Sequence, residues 1–147
     1  MPATPAFGTQ VIGQTEKALN AILGRQLAGT GLTEPQWVTL TLTAVSGGTL
    51  GRDQLAGRVA GALHISEAEA NARIAELADA QLLQAPDGDG SPVELTGTGQ
   101  QLHGRVRAAV TQITERLWGD LPPEDLATAG RVLSIVTTRA NTELAGA

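Results

Sequence analysis

Apolar residues recur at helical spacing along most of the chain. From Thr9 to about Leu27, the residues Val11, Ile12, Leu19, Ile22, Leu23 and Leu27 mark a first helix, with Thr9 placed as its cap. The stretch Ala28 to Gly31 breaks it. Thr33 caps a second helix, with Pro35 in the first turn, where a missing N–H costs nothing. Trp37, Leu40 and Ala44 share one face of that helix, and Ser46-Gly47-Gly48 ends it. Arg52-Asp53 opens a short third helix with the stripe Leu55, Val59, Leu63. After the turn at His64-Ile65, Ser66 and Glu69 have the spacing of a capping box for a fourth, whose buried side is Ala70, Ile74 and Leu77. Two helices joined by so short a turn form a helix-turn-helix.

The period then changes. Leu82–Ala85 and Pro92–Leu95 are short β-prone runs around Asp87-Gly88-Asp89-Gly90, which reads as a hairpin. A hairpin directly after a helix-turn-helix is a wing. Thr96 caps a long helix from Gly97 to about Trp118, striped by Leu102, Val106, Val110, Ile113 and Leu117. Pro122-Pro123 marks a restart, and the last helix carries Leu126, Ala129, Leu133, Val136, Ala140 and Leu144. The expected fold class is all-α with a small β-wing. Residues 1–8 are a flexible lead and 9–147 one domain. Within it, 48–96 form the winged lobe, while 9–31 and 97–147 are dimerisation helices. The last two helices carry more apolar stripe than one small lobe can cover, which implies a homodimer.

Composition narrows the chemistry. At 147 residues the chain is long enough to bury a core unaided. It has no cysteine, so disulfides, thiolate metal sites and cysteine nucleophiles are excluded. The N-terminal residues lack the pattern of a signal peptide, and no run approaches the ~20 apolar residues of a membrane span, so a cytoplasmic protein is expected. Nine arginines against one lysine, with abundant Ala and Gly, suggest a GC-rich bacterial source. His64 reads as a turn residue and His103 as a surface or interface residue, and no metal or other cofactor is implied. The Asp87–Gly90 run lacks the remaining ligand spacing of a calcium loop. No catalytic signature is present, so an enzyme has no named residue behind it.

Several stretches in order resemble the MarR family of bacterial regulators. Leu32-Thr33-Glu34-Pro35-Gln36-Trp37 is similar to the family's LTxxQW opening, and Leu55-Ala56 with Val59 matches the start of its helix-turn-helix. Glu76-Leu77 through Leu82-Leu83 resembles the rLexxGLv entry to the wing. Val93-Glu94-Leu95-Thr96-Gly97-Thr98-Gly99 resembles the LTexG exit, and Leu121–Leu126 the Lsxeel start of the final helix. The resemblance implies a dimer held by its first and last helices that represses transcription from pseudo-palindromic DNA. It also implies release when a phenolic or other hydrophobic small molecule enters the cleft beside the dimer helices.

The candidate DNA contacts are Ser66, Asn71 and Arg73 on the fourth helix, with Arg52 and Arg58 on the third. The simplest competing role for Arg73 is an ion pair with Glu69. Candidate ligand residues are Trp37, Leu40 and Thr41, with Ile22, Val106 and Arg25 on the facing helices, and Trp118 is assigned to the dimer interface. Charge departs from the family pattern. Between Gly48 and Thr96 there are three basic residues and eight acidic ones, so the whole net charge of −5 sits in the lobe that should meet phosphate. The wing sequence Pro86–Ser91 has no basic residue. The alternative reading is therefore a fold retained without DNA binding, which binds or transforms a hydrophobic molecule in the helix cleft.

Overall fold

The computed structural model describes residues 5–85 and 92–146. Six helices and three short strands follow in the order α1 (Thr9–Leu27), α2 (Glu34–Val45), β1 (Thr49–Gly51), α3 (Arg52–Leu63), α4 (Glu67–Asp79), β2 (Leu83–Gln84), β3 (Pro92–Leu95), α5 (Gly97–Trp118) and α6 (Pro123–Gly146). The chain divides into two compact units, Met1–Val110 and Thr111–Ala147, with the boundary inside α5. The Asp87–Gly90 turn, and with it the acidic wing tip, lies outside the described residues.

Side-chain caps set the helix starts. Thr33 Oγ1 accepts from Gln36 N–H at 3.4 Å, and Gln36 Oε1 accepts from Thr33 N–H at 2.9 Å. Ser66 and Glu69 form the expected capping box on α4, with Ser66 Oγ accepting from Glu69 N–H at 3.1 Å. Thr96 Oγ1 accepts from Gly99 N–H at 2.9 Å at the start of α5. The expected cap at Thr9 is not formed. The Gly8 carbonyl already accepts from Ile12 N–H, so the helix begins with Thr9 inside it and Gly8 as its cap.

The first unit is built on one core. Leu40 of α2, Leu55 and Val59 of α3, Ile74 and Leu77 of α4 and Val93 of β3 are sealed from solvent. Each such side chain contributes about 1.5–3 kcal/mol by leaving water, so α2, α3, α4 and the sheet are mutually dependent. The sheet has three strands rather than the expected two. β3 is central, pairing antiparallel with β2 (Leu83 opposite Leu95) and with β1 (Leu50 opposite Val93). Thr49-Leu50-Gly51 is too short to show alternation, and its extended form comes from pairing with β3.

Three consecutive helices end in the same way. Gly48 N–H bonds to Thr43 O and Gly47 N–H to Ala44 O after α2, and Leu82 N–H to Leu77 O and Gln81 N–H to Ala78 O after α4. These are paired Schellman bonds, and they require a left-handed residue after the helix. After α3, Ile65 N–H likewise reaches Ala60 O. Gly47 meets the left-handed requirement at no steric cost (φ 87°), but His64 (φ 55°) and Gln81 (φ 64°) do not. Gln81 stands where the resembling pattern has glycine. Gln81→Gly should raise stability by about 0.5–1 kcal/mol in urea unfolding. An unchanged or lower midpoint would show that no strain is stored there.

In the second unit α6 buries none of its residues. Leu133, Ile135, Val136 and Leu144 remain exposed along it, the last at 63%.

Candidate functional site

The helix-turn-helix places α4 with Ala70, Ile74 and Leu77 inward and Glu67, Ala68, Glu69 and Ala75 outward. All five expected DNA contacts lie on this lobe, and each is held by an internal bond. Ser66 is engaged with Glu69 in the cap. Asn71 donates to the Glu67 carbonyl at 3.0 Å and accepts from Arg52 Nε at 3.2 Å. Arg58 donates to Ser46 Oγ at 2.8 Å, which ties α3 to the end of α2.

Arg73 pairs with Glu76, one turn onward, and not with Glu69. Its Nη2 donates to Glu76 Oε2 at 3.0 Å, while Nε lies 2.7 Å from Oε1 but off the N–H direction. Glu69 is already committed to the Ser66 cap, which explains the choice. Gln36 Nε2 donates to the same Glu76 Oε1 at 3.0 Å, so a chain of bonds runs from the α2 cap through Glu76 to Arg73. The Gln36 bond, with the Arg73 charge beside it, holds the Glu76 carboxyl below its ordinary range.

The residues expected to line a ligand cleft are only partly brought together. Trp37, Leu40 and Val106 join the common buried core. Ile22 is half-buried and Arg25 is exposed in the last turn of α1. Thr41 is half-buried on the α2 face that carries Trp37, one turn on.

His103, expected at the surface or at an interface, is half-buried within the chain. Its ring stacks on Trp37, with centroids 4.9 Å apart and planes 20° from parallel. The spacing His103, Val106, Val110 was the available signal, since it puts the histidine on the inward stripe of α5. Burial, and then the neighbouring Arg107 charge, lowers the His103 pKa. The native state therefore prefers the neutral ring. Its stabilising effect is complete above the unfolded-state value of about 6.5 and is lost as the pH falls through the depressed folded value. Urea midpoints at pH 7.5 and 5.5 should fall further for the natural chain than for His103→Phe. An identical fall in both would remove this role.

Among the described residues, no three His, Cys, Asp or Glu side chains converge as metal ligands would, and no helix is long and apolar enough to cross a membrane.

No family model matches the chain, and no curated protein matches it in sequence. Solved structures do. Ligand-free NadR superposes with a TM-score of 0.75 at 20% identity, covering 93% of this chain and 98% of that one. AbsC, a MarR family transcriptional regulator from Streptomyces coelicolor, gives 0.73 at 20% identity, covering 95% and 99%. CouR from Rhodococcus jostii RHA1, bound to p-coumaroyl-CoA, gives 0.72 at 15% identity, covering 86% and 89%. NadR is also known in complex with 4-hydroxyphenylacetate, a structure to which this chain is 22% identical.

The fold is that of the MarR family regulators. Its winged lobe lies within the first unit, and its long C-terminal helices are α5 and α6.

Proposed function

We propose that the protein is a MarR-like, ligand-responsive transcription regulator that acts on duplex DNA as a homodimer. The observation that carries this reading is the helix-turn-helix itself. α4 buries one face, presents the other, and is flanked by a wing on a lobe of the matching architecture. A second copy of the chain is the natural cover for the exposed α6 stripe of Leu133, Val136 and Leu144. Structures of this fold with 4-hydroxyphenylacetate and p-coumaroyl-CoA support an aromatic ligand, for which Trp37 and Thr41 are candidate contacts. Ligand would then bias the dimer between two spacings of its winged lobes, only one of which fits successive major grooves.

The internal bonds of the five polar candidates set the terms of DNA recognition. Exposed pairs such as Arg73–Glu76 are worth roughly 0–1 kcal/mol each, so a well-placed phosphate or base edge displaces them at small cost. Non-specific DNA offers no base contacts in return, and the lobe's acidic surplus opposes it. The expected behaviour is weak general affinity with useful binding only at a matching site.

A second reading rests on that same charge. The dimer would keep the fold and the ligand cleft without binding DNA, and would bind or transform a hydrophobic molecule there.

The deciding experiment is fluorescence anisotropy with a labelled duplex from the gene's own upstream region, at low and moderate salt. Saturable binding at two chains per duplex supports the regulator. Arg73→Ala should weaken it by about 1–3 kcal/mol if Arg73 reads a base. No binding even at low salt leaves the second reading.

A further inference from the structure

The Arg73–Glu76 pair uses one edge of the guanidinium and leaves another open. Glu76 Oε2 accepts from Nη2 at 3.0 Å and Oε1 lies 2.7 Å from Nε, so the carboxylate sits along the side of the fork. Nε is sealed from solvent there. A guanidinium carries five N–H donors in one rigid plane, and its end edge, Nη1 with the other N–H of Nη2, points away from Nε. Among the described residues that end edge has no partner.

The carboxylate is itself fixed. Gln36 Nε2, in the first turn of α2, donates to Glu76 Oε1 at 3.0 Å from 40 residues away, while Gln36 Oε1 accepts from Thr33 N–H at 2.9 Å. Both ends of the Gln36 amide are therefore committed, and the side chain cannot swing without losing the α2 cap. Glu76 also stands where the resembling rLexxGLv pattern has a basic residue.

We infer that Glu76, braced by Gln36, is a positioning residue that holds the end edge of Arg73 ready for a guanine in the major groove. This inference rests on the DNA-binding part of the proposed function. Two parallel N–H groups match either the O6 and N7 acceptors of guanine or two oxygens of a phosphate. The paired carboxylate decides between them. It cancels the arginine charge, on which attraction to phosphate depends. It leaves the direction of the remaining N–H groups, which is what a neutral base edge reads. The pair does not have to break for this contact, so no displacement cost arises at Arg73. Holding a long side chain in one arrangement before binding also removes an ordering cost otherwise met in the complex. Gln36 and Glu76 act only through Arg73.

The test is anisotropy with the full chain on two labelled duplexes, the gene's upstream region and a scrambled duplex of equal composition. Arg73→Ala should cut the preference for the upstream duplex by about fivefold to a hundredfold. Glu76→Ala should cut it by about threefold to tenfold, the worth of one preordered side chain. Its affinity for the scrambled duplex should rise, because an acidic charge has left the lobe. Gln36→Glu keeps the oxygen that caps α2 but loses the amide donor, and should lower the preference in the same direction. Asp79→Asn, at an exposed acid of the same helix, should raise both affinities and leave the preference unchanged. An unchanged preference in Glu76→Ala or Gln36→Glu, or an equal weakening on both duplexes, overturns the inference. Duplexes carrying 7-deazaguanine, which lacks N7, separate base from phosphate. They should bind the natural chain about fivefold or more weakly, and Arg73→Ala should show a clearly smaller loss. An equal loss in the two chains assigns Arg73 to phosphate and overturns the inference. Saturable binding by the natural chain with no preference between the duplexes also overturns it, yet leaves DNA binding standing. No saturable binding to either duplex removes the DNA-binding reading and the inference together.

Discussion

The lobe depends on one junction, where the end of α4, the sheet and the start of α5 meet around a single hydroxyl. Thr96 Oγ1 donates to the Gln81 carbonyl at 2.7 Å and accepts from Gly99 N–H at 2.9 Å, while Thr96 N–H reaches Leu82 O at 3.1 Å. Gly99 is packed so closely that a Cβ there would overlap the Leu82 carbonyl oxygen. The helix that presents the candidate DNA face is thus locked to the helix that carries His103. The contact is backbone against backbone, and it cannot adjust by a change of rotamer. Whatever moves the first turns of α5 is transmitted to the root of the wing.

Charge and bonding on the lobe fit together. An arginine facing solvent alone would attract any phosphate. Here Arg73 is neutralised by Glu76, which is itself braced by Gln36 from α2, and Arg52 is engaged by Asn71. These contacts contribute little to stability, because exposed pairs are screened and entropically costly. Their larger consequence is to leave little uncompensated positive charge on a lobe that carries eight acidic residues against three basic ones from Gly48 to Thr96. Under the proposed DNA role, recognition would rest on shape and on base edges, since backbone attraction is small.

Much of the architecture was legible in the residues. The capping boxes at Thr33 and Ser66 and the apolar period of 3.6 located the helices, because both signals are local. The wing strands were legible from turn chemistry. β1 was not, since three residues carry no periodicity and its conformation is imposed by β3. The same distinction governs the site. Ser66, Asn71, Arg73, Arg52 and Arg58 could be assigned to the helix-turn-helix lobe from sequence, and Glu69 to Ser66 as its capping partner, but the partners of the other four could not. Arg73 has carboxylates at both i−4 and i+3, and only the tertiary bond from Gln36 shows why Glu76 is positioned and Glu69 occupied. The stack of His103 on Trp37 was not foreseen, because a lone histidine near a helix start looks like a solvent residue until its stripe partners are counted.

Unpaired atoms are informative for the same reason. A sequence lists donors and acceptors but not which of them are spent. α2 contains three threonines, at 39, 41 and 43, and a fourth at 33 caps it, and composition alone treats them alike. Three are spent on backbone partners. Thr41, one turn from Trp37 along the same helix, keeps a buried hydroxyl with no partner. Natural cores tolerate such a group where something else completes it, because leaving it empty costs free energy that a methyl would have avoided. Valine at position 41 would have filled the same space without that cost.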